Sequence, residues 1–122
     1  MTITEFAAAI GAEVCHRDFD DAKLAGAYAS DLLSDVVANA NANARGIGAD
    51  AGASALITVQ AHINTVAVAS LVDISLIIIC NSRPIPGDML EAAKRERIAI
   101  LRTGENQFTV SAQLWKALFG KA

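Results

Sequence analysis

Four short polar clusters carry the residue types that could do chemistry in this chain. They are Ser30-Asp31; Thr58, Gln60, His62 and Asn64; Asn81, Ser82 and Arg83; and Arg102-Thr103. Each follows an apolar run and leads into a helix-like pattern. Free N–H groups at helix starts suit an anion. Arg83 could hold a phosphate or carboxylate in a two-pronged contact. Thr58, Gln60 and Asn64 could fix a base or sugar by hydrogen bonding. The set describes a candidate ligand site for a nucleotide or phosphorylated metabolite. It does not describe a reaction: no nucleophile beside a base, no metal-ligand series and no phosphate loop is legible.

Plainer roles compete for the same residues. Asp31 and Asp88 read first as helix caps, because Asp at a helix start accepts from unpaired N–H groups. His62 reads as a hydrogen-bonded surface or interface histidine, since no nucleophile and carboxylate accompany it. Thr58 sits inside an apolar run, where its hydroxyl can satisfy a backbone group. Arg83 precedes Pro84 and could simply tie down a turn. His16 with Asp18, Asp20 and Asp21 lacks the ordered ligand series of a hard-cation site, and reads as a solvated turn. The run RGIGADAGAS, 45–54, has three glycines but precedes a strand. A dinucleotide fingerprint follows a strand and opens a helix, so this run reads as a linker.

The elements that must position these clusters are clearest in ALITVQAHINTVAVASLVDISLIIIC, residues 55–80. It reads as strand, helix, strand. The run Ile74 to Cys80 has almost no polar relief, and such a strand must be covered on both faces, as in parallel sheets wrapped by helices. Strands are predicted at Glu13–His16, Leu24–Ala29, Ala55–Gln60, Ile74–Cys80 and Ile98–Leu101, with Ile74–Cys80 in the middle. Gly26 suggests a bulge or a close backbone approach. Helices are predicted at Thr2–Ile10, Asp31–Ala44 and His62–Val72, from Asp88 to Arg97, and after Asn106, with Gly120 as a stop. Thr2 and Glu5 have capping-box spacing. Leu32, Leu33, Val36, Val37 and Ala40 form an apolar stripe. The expected architecture is one α/β domain spanning 1–122, a three-layer α/β/α fold with a mostly parallel sheet of four to five strands. If the main strands run parallel, their carboxyl ends gather the four polar clusters on one rim.

Composition narrows the function classes. The chain has 122 residues, 53% of them hydrophobic but only 5% aromatic, so aliphatic side chains build the core and no aromatic platform for stacked bases is present. The net charge is −3, and the cluster Lys94, Arg95, Arg97 is offset by Glu91 and Glu96. This argues against nucleic acid, which requires a basic stripe. Cys15 and Cys80 belong to no Cys-x-x-Cys or Cys/His set; they read as reduced core thiols of a cytoplasmic protein. The first residues lack a basic region and carry Glu5, unlike a signal peptide. The longest apolar region, Val66 to Cys80, contains Asp73 and is shorter than the ~20 residues of a spanning helix, so no membrane is expected. No cofactor is indicated.

The runs GAYASDLLSDVVANA (26–40) and ITVQAHINTVAVASLVDISLIIIC (57–80) resemble the DRTGG domain family. PIPGDMLEAAKRERIAILRT (84–103) and FTVSAQLWKALF (108–119) fit the same pattern. The likeness covers most of the chain, although the region from Asn39 to Ser54 is longer than the usual connection and the literal string D-R-T-G-G is absent. It implies a layered α/β/α fold similar to the N-terminal domain of HPr kinase/phosphorylase. Such domains also occur in phosphotransacetylases and beside CBS domains in pyrophosphatases, where they help form dimer contacts. It further implies a regulatory or assembly module without a defined reaction. A homodimer is expected, with Trp115 and Leu118, or the small helix face at Ala67 and Ser70, as contact surfaces and another protein as a candidate partner. The alternative is a small-molecule sensor using the strand-end site.

Overall fold

The computed structural model describes residues 1–43 and 52–120. In chain order the elements are α1 (Ile3–Ile10), β1 (Glu13–Val14), β2 (Leu24–Ala29), α2 (Leu33–Asn43), β3 (Ala53–Thr58), α3 (Ile63–Leu71), β4 (Leu76–Ile79), α4 (Gly87–Glu96), β5 (Ala99–Arg102) and α5 (Gln107–Phe119). The sheet order is β1-β5-β4-β3-β2. β2 to β5 are parallel, and β1 runs antiparallel to β5. This is the expected three-layer α/β/α architecture with a mostly parallel sheet.

Local chemistry explains most of the elements. Thr2 and Glu5 close a reciprocal capping box on α1, and Gly11 ends that helix at φ 68°, a left-handed position that glycine occupies without strain. β3 and β4 are buried along their whole lengths. β4 is the third strand of five. Burying Ile77, Ile78 and Ile79 contributes about 1.5–3 kcal/mol each relative to exposure.

Side-chain alternation divides the core in two. Leu56, Ile77, Ile79 and Ile100 pack under α2, α3 and α4 through Val36, Val66, Ala69, Met89 and Ala93. Ala55, Ile57, Leu76, Ile78 and Leu101 pack under α1 and α5 through Phe6, Val110 and Leu114. All three crossover helices therefore lie on one face, as expected when each parallel strand adds on the same side of the last with constant handedness.

Several expectations need correction. The first strand stops at Val14, because His16 turns inward: its ring Nε2 lies 2.8 Å from the Ile98 carbonyl, and its Nδ1 accepts from the Asp18 N–H. The charged turn also buries Phe19, edge-on to His16. In α2 only Val36 and Ala40 of the proposed stripe are buried; Leu32 and Val37 face outward, and Leu33 is half-buried. Ala53 and Ser54 belong to β3 rather than to the glycine-rich linker, and residues 45–51 of that linker lie outside the described residues. Asp88 does not cap α4. Pro86 holds the cap position without a side-chain bond, and Asp88 lies in the first turn, accepting from the Met89 N–H. The bulge near Gly26 is present, as a register shift between Leu24 and Gly26.

Candidate functional site

The parallel ladder brings the four polar clusters to one end of the sheet. The Ser30 N–H donates to the Ile57 carbonyl, the Cys80 N–H to the Thr58 carbonyl at 3.0 Å, and the Thr103 N–H to the Ile79 carbonyl at 2.9 Å. Ser30, Thr58, Asn81 and Thr103 thus share a rim. The order β2-β3-β4-β5 runs without reversal, so these strands form no topological switch point, the feature that opens a crevice in doubly wound sheets.

Asp31 is the hub of this rim, and it is not the cap of α2. Its Oδ1 accepts from the Thr58 hydroxyl at 2.8 Å, the Val59 N–H at 2.9 Å and the Gln107 side-chain amide at 3.1 Å. Gln60 donates its side-chain amide to the Asp31 carbonyl at 3.0 Å. The fully buried Thr58 hydroxyl also accepts from the Gln60 N–H. Thr65 donates to the Gln60 carbonyl at 2.7 Å. Three candidate residues, Asp31, Thr58 and Gln60, are thus bonded to one another. The knot ties the ends of β2 and β3 to the first residue of α5. Sequence reasoning missed Gln107; its only signal was its place directly after the Asn106 cap.

The other candidates divide between turn-building and exposure. Ser30 Oγ accepts from the Leu32 N–H, turning the chain into α2. His62 caps α3: its Nδ1 accepts from the Asn64 N–H at 3.0 Å. Asn64 is exposed in the first turn of that helix. Asn81 and Ser82 are both left-handed, at φ 60° and 54°; their N–H groups donate to the carbonyls of Glu105 and Thr103. Buried Thr103 accepts from the Glu105 N–H. Arg102 is committed to the same turn, donating to the carbonyls of Arg83 at 2.8 Å and Ser82 at 2.6 Å, with Glu13 3.6 Å away. The exposed Arg83 side chain has no hydrogen-bond or ion-pair partner among the described residues.

The residues considered for a metal are engaged separately. Asp20 pairs with Arg97 at 3.1 Å, and Asp21 accepts from the Thr4 hydroxyl and N–H. Burial opposes ionisation of Asp21, but the Thr4 bonds outweigh it and hold the carboxyl below its ordinary range. Among the described residues no cluster of three His, Cys, Asp or Glu side chains could hold a metal ion. No helix of the described residues is long and apolar enough to cross a membrane.

A second feature lies beside the rim. An apolar groove of about 240 Å³ runs between α5 and β2, lined by Gly26, Ala27, Ala29, Leu114, Trp115 and Phe119, among others. Trp115 is 63% exposed and Phe108 84% exposed on the same helix.

Neither comparison with known sequences places the chain: no protein-family model matches it, and no curated protein does.

Proposed function

We propose that this chain is a DRTGG-like regulatory or assembly module that works as a homodimer in the cytoplasm, without catalysis of its own. The apolar surface around α5 and β2 carries this reading. Large exposed apolar patches on small proteins mark interaction sites. The rim supports it too, since its central carboxylate is committed to fastening strands rather than to a reacting group. The two free thiols accord with a reducing compartment. Light scattering over a concentration series tests the proposal. The expected result is twice the chain mass; a monomer throughout would defeat it.

Arg83, unpartnered among the described residues, favours a second reading, a sensor for a nucleotide or phosphorylated metabolite. In that case thermal unfolding against a panel of nucleotides and acyl phosphates shows a stabilising compound. A ligand at 100 times its Kd adds about 2.7 kcal/mol. The Arg83→Ala variant then loses the shift. An equal shift in the variant would remove Arg83 from the site.

A further inference from the structure

We propose that β2 is the seam of the dimer: two copies join their sheets edge to edge, β2 against β2, antiparallel about a twofold axis at Tyr28. This deepens the assembly reading and rests on it.

The first observation is an edge left unpaired among the described residues. β2 closes the described sheet on one side. Its pairing of Ala27 with Ala55 and Ala29 with Ile57, and the Ser30 bond to Ile57, fix which way its backbone points. Gly26, Tyr28 and Ser30 turn their main-chain groups to β3; Ala27 and Ala29 turn theirs outward. Among the described residues, the Met1 carbonyl and Thr2 cover only the start of the strand, at Leu24 and Lys23. Unpaired backbone groups on an edge call for another strand. A twofold axis at Tyr28 sets Ala27 of each copy opposite Ala29 of the other. All four outward N–H and C=O groups of each copy are then used, and the two Tyr28 residues form a close cross-strand pair.

The second observation is the contrast between the two edges. β1, at the far side, is two residues long, and its Glu13 faces Arg102. Short, charged edges resist pairing. β2 is six residues, LAGAYA, with no charge and no proline.

The third observation is what flanks the edge. β2 is covered by α2 on one face and α5 on the other. Both helices leave apolar side chains exposed: Leu32, beside the start of α2, and Val37; Phe108, Trp115 and Phe119 on α5. Phe108, Ala112, Trp115 and Phe119 have the i, i+4, i+7, i+11 spacing of a two-helix seam. An aromatic side chain presents 150–250 Å², so at 84%, 63% and 37% exposure the three aromatics offer roughly 300–450 Å². A stable interface takes about 800 Å² from each partner. The strand edge, Leu32, Val37 and Leu118 are the surface for the remainder. An edge-to-edge twofold sets α5 beside its own copy, so one apolar stripe covers the other, as an isologous contact requires.

Two variants test the seam. Ala27→Pro deletes an outward N–H and leaves the β2–β3 ladder intact. Trp115→Glu puts a charge in the contact at an exposed position. Trp115 is the only tryptophan, so its emission reports on this surface alone. The expected result is a wild-type dimer whose Trp115 emission shifts to the red on dilution. Each variant should weaken the dimer at least about 30-fold while keeping the wild-type circular dichroism, in line with an interface hot spot. If Ala27→Pro fails to fold, Trp115→Glu decides. A dimer with concentration-independent emission and Trp115→Glu association equal to wild type overturns the seam and leaves the assembly reading standing. A chain monomeric at every concentration overturns both.

Discussion

Asp31 shows how one side chain can be legible by type and misread by role. Asp ahead of a helical pattern reads as a cap, yet its carboxylate reaches across to Thr58, Val59 and Gln107. Partners 27 and 76 positions away leave no local spacing to detect. The Asp31→Ala variant strands the buried Thr58 hydroxyl and the Val59 N–H, so urea denaturation should show a loss of about 1–3 kcal/mol. Asp31→Asn keeps a carbonyl acceptor and should lose less. Equal losses would mean that the carboxylate charge, not acceptance, matters. The thiols give a second prediction at this scale. Burial pushes Cys15 and Cys80 up to about 11 from an ordinary 9.0. A thiol that resists ionisation when folded stabilises the fold fully below pH 9, and that stabilisation is lost as pH rises toward 11. The unfolding midpoint should fall across this window, and fall less in Cys80→Ala. Both thiols should react slowly with iodoacetamide at pH 8, because little thiolate is present.

At the scale of elements, helix and strand periods were readable and caps were only partly so. Thr2 caps α1 as its spacing to Glu5 predicts, and Asn106, an Asn at a helix start, caps α5. Asp88 has similar spacing to Glu91 but lies two positions past the cap, because Pro86 pre-sets the entry to α4. This difference predicts unequal costs. Asn106→Ala removes a side-chain bond to the Thr109 N–H and should cost about 1 kcal/mol. Asp88→Ala loses chiefly a favourable charge near the helix N-terminus, about 0.3–1 kcal/mol. Chemical denaturation of the two variants separates them, and a larger loss for Asp88 would restore it as the cap. The apolar stripe of α2 was overread for a related reason. Periodicity shows which residues share a helix face but not how far the neighbouring layer extends. Among the described residues α2 ends the helical layer over β2, so no further described helix lies beside Val37.

At the scale of the whole molecule, the parallel sheet and its central strand follow from patterns any reader of the chain can see. Ile74 to Cys80 demands cover on both faces, and segments of strand and helix length alternate around it. The proposed dimer stands or falls by the solution mass, and the proposed β2 seam by the response of Trp115.

Burial demand and cap chemistry are local properties of consecutive residues, and they settled the α/β class, most element positions and which polar residues lie near strand ends. Three other features arose only on folding: the uninterrupted strand order that leaves β2 at the edge of the described sheet, the binding of Asp31 to Thr58 and Gln107, and the groove beside Trp115. Each depends on which distant segments become neighbours, and the spacing of residues along a chain carries no record of that.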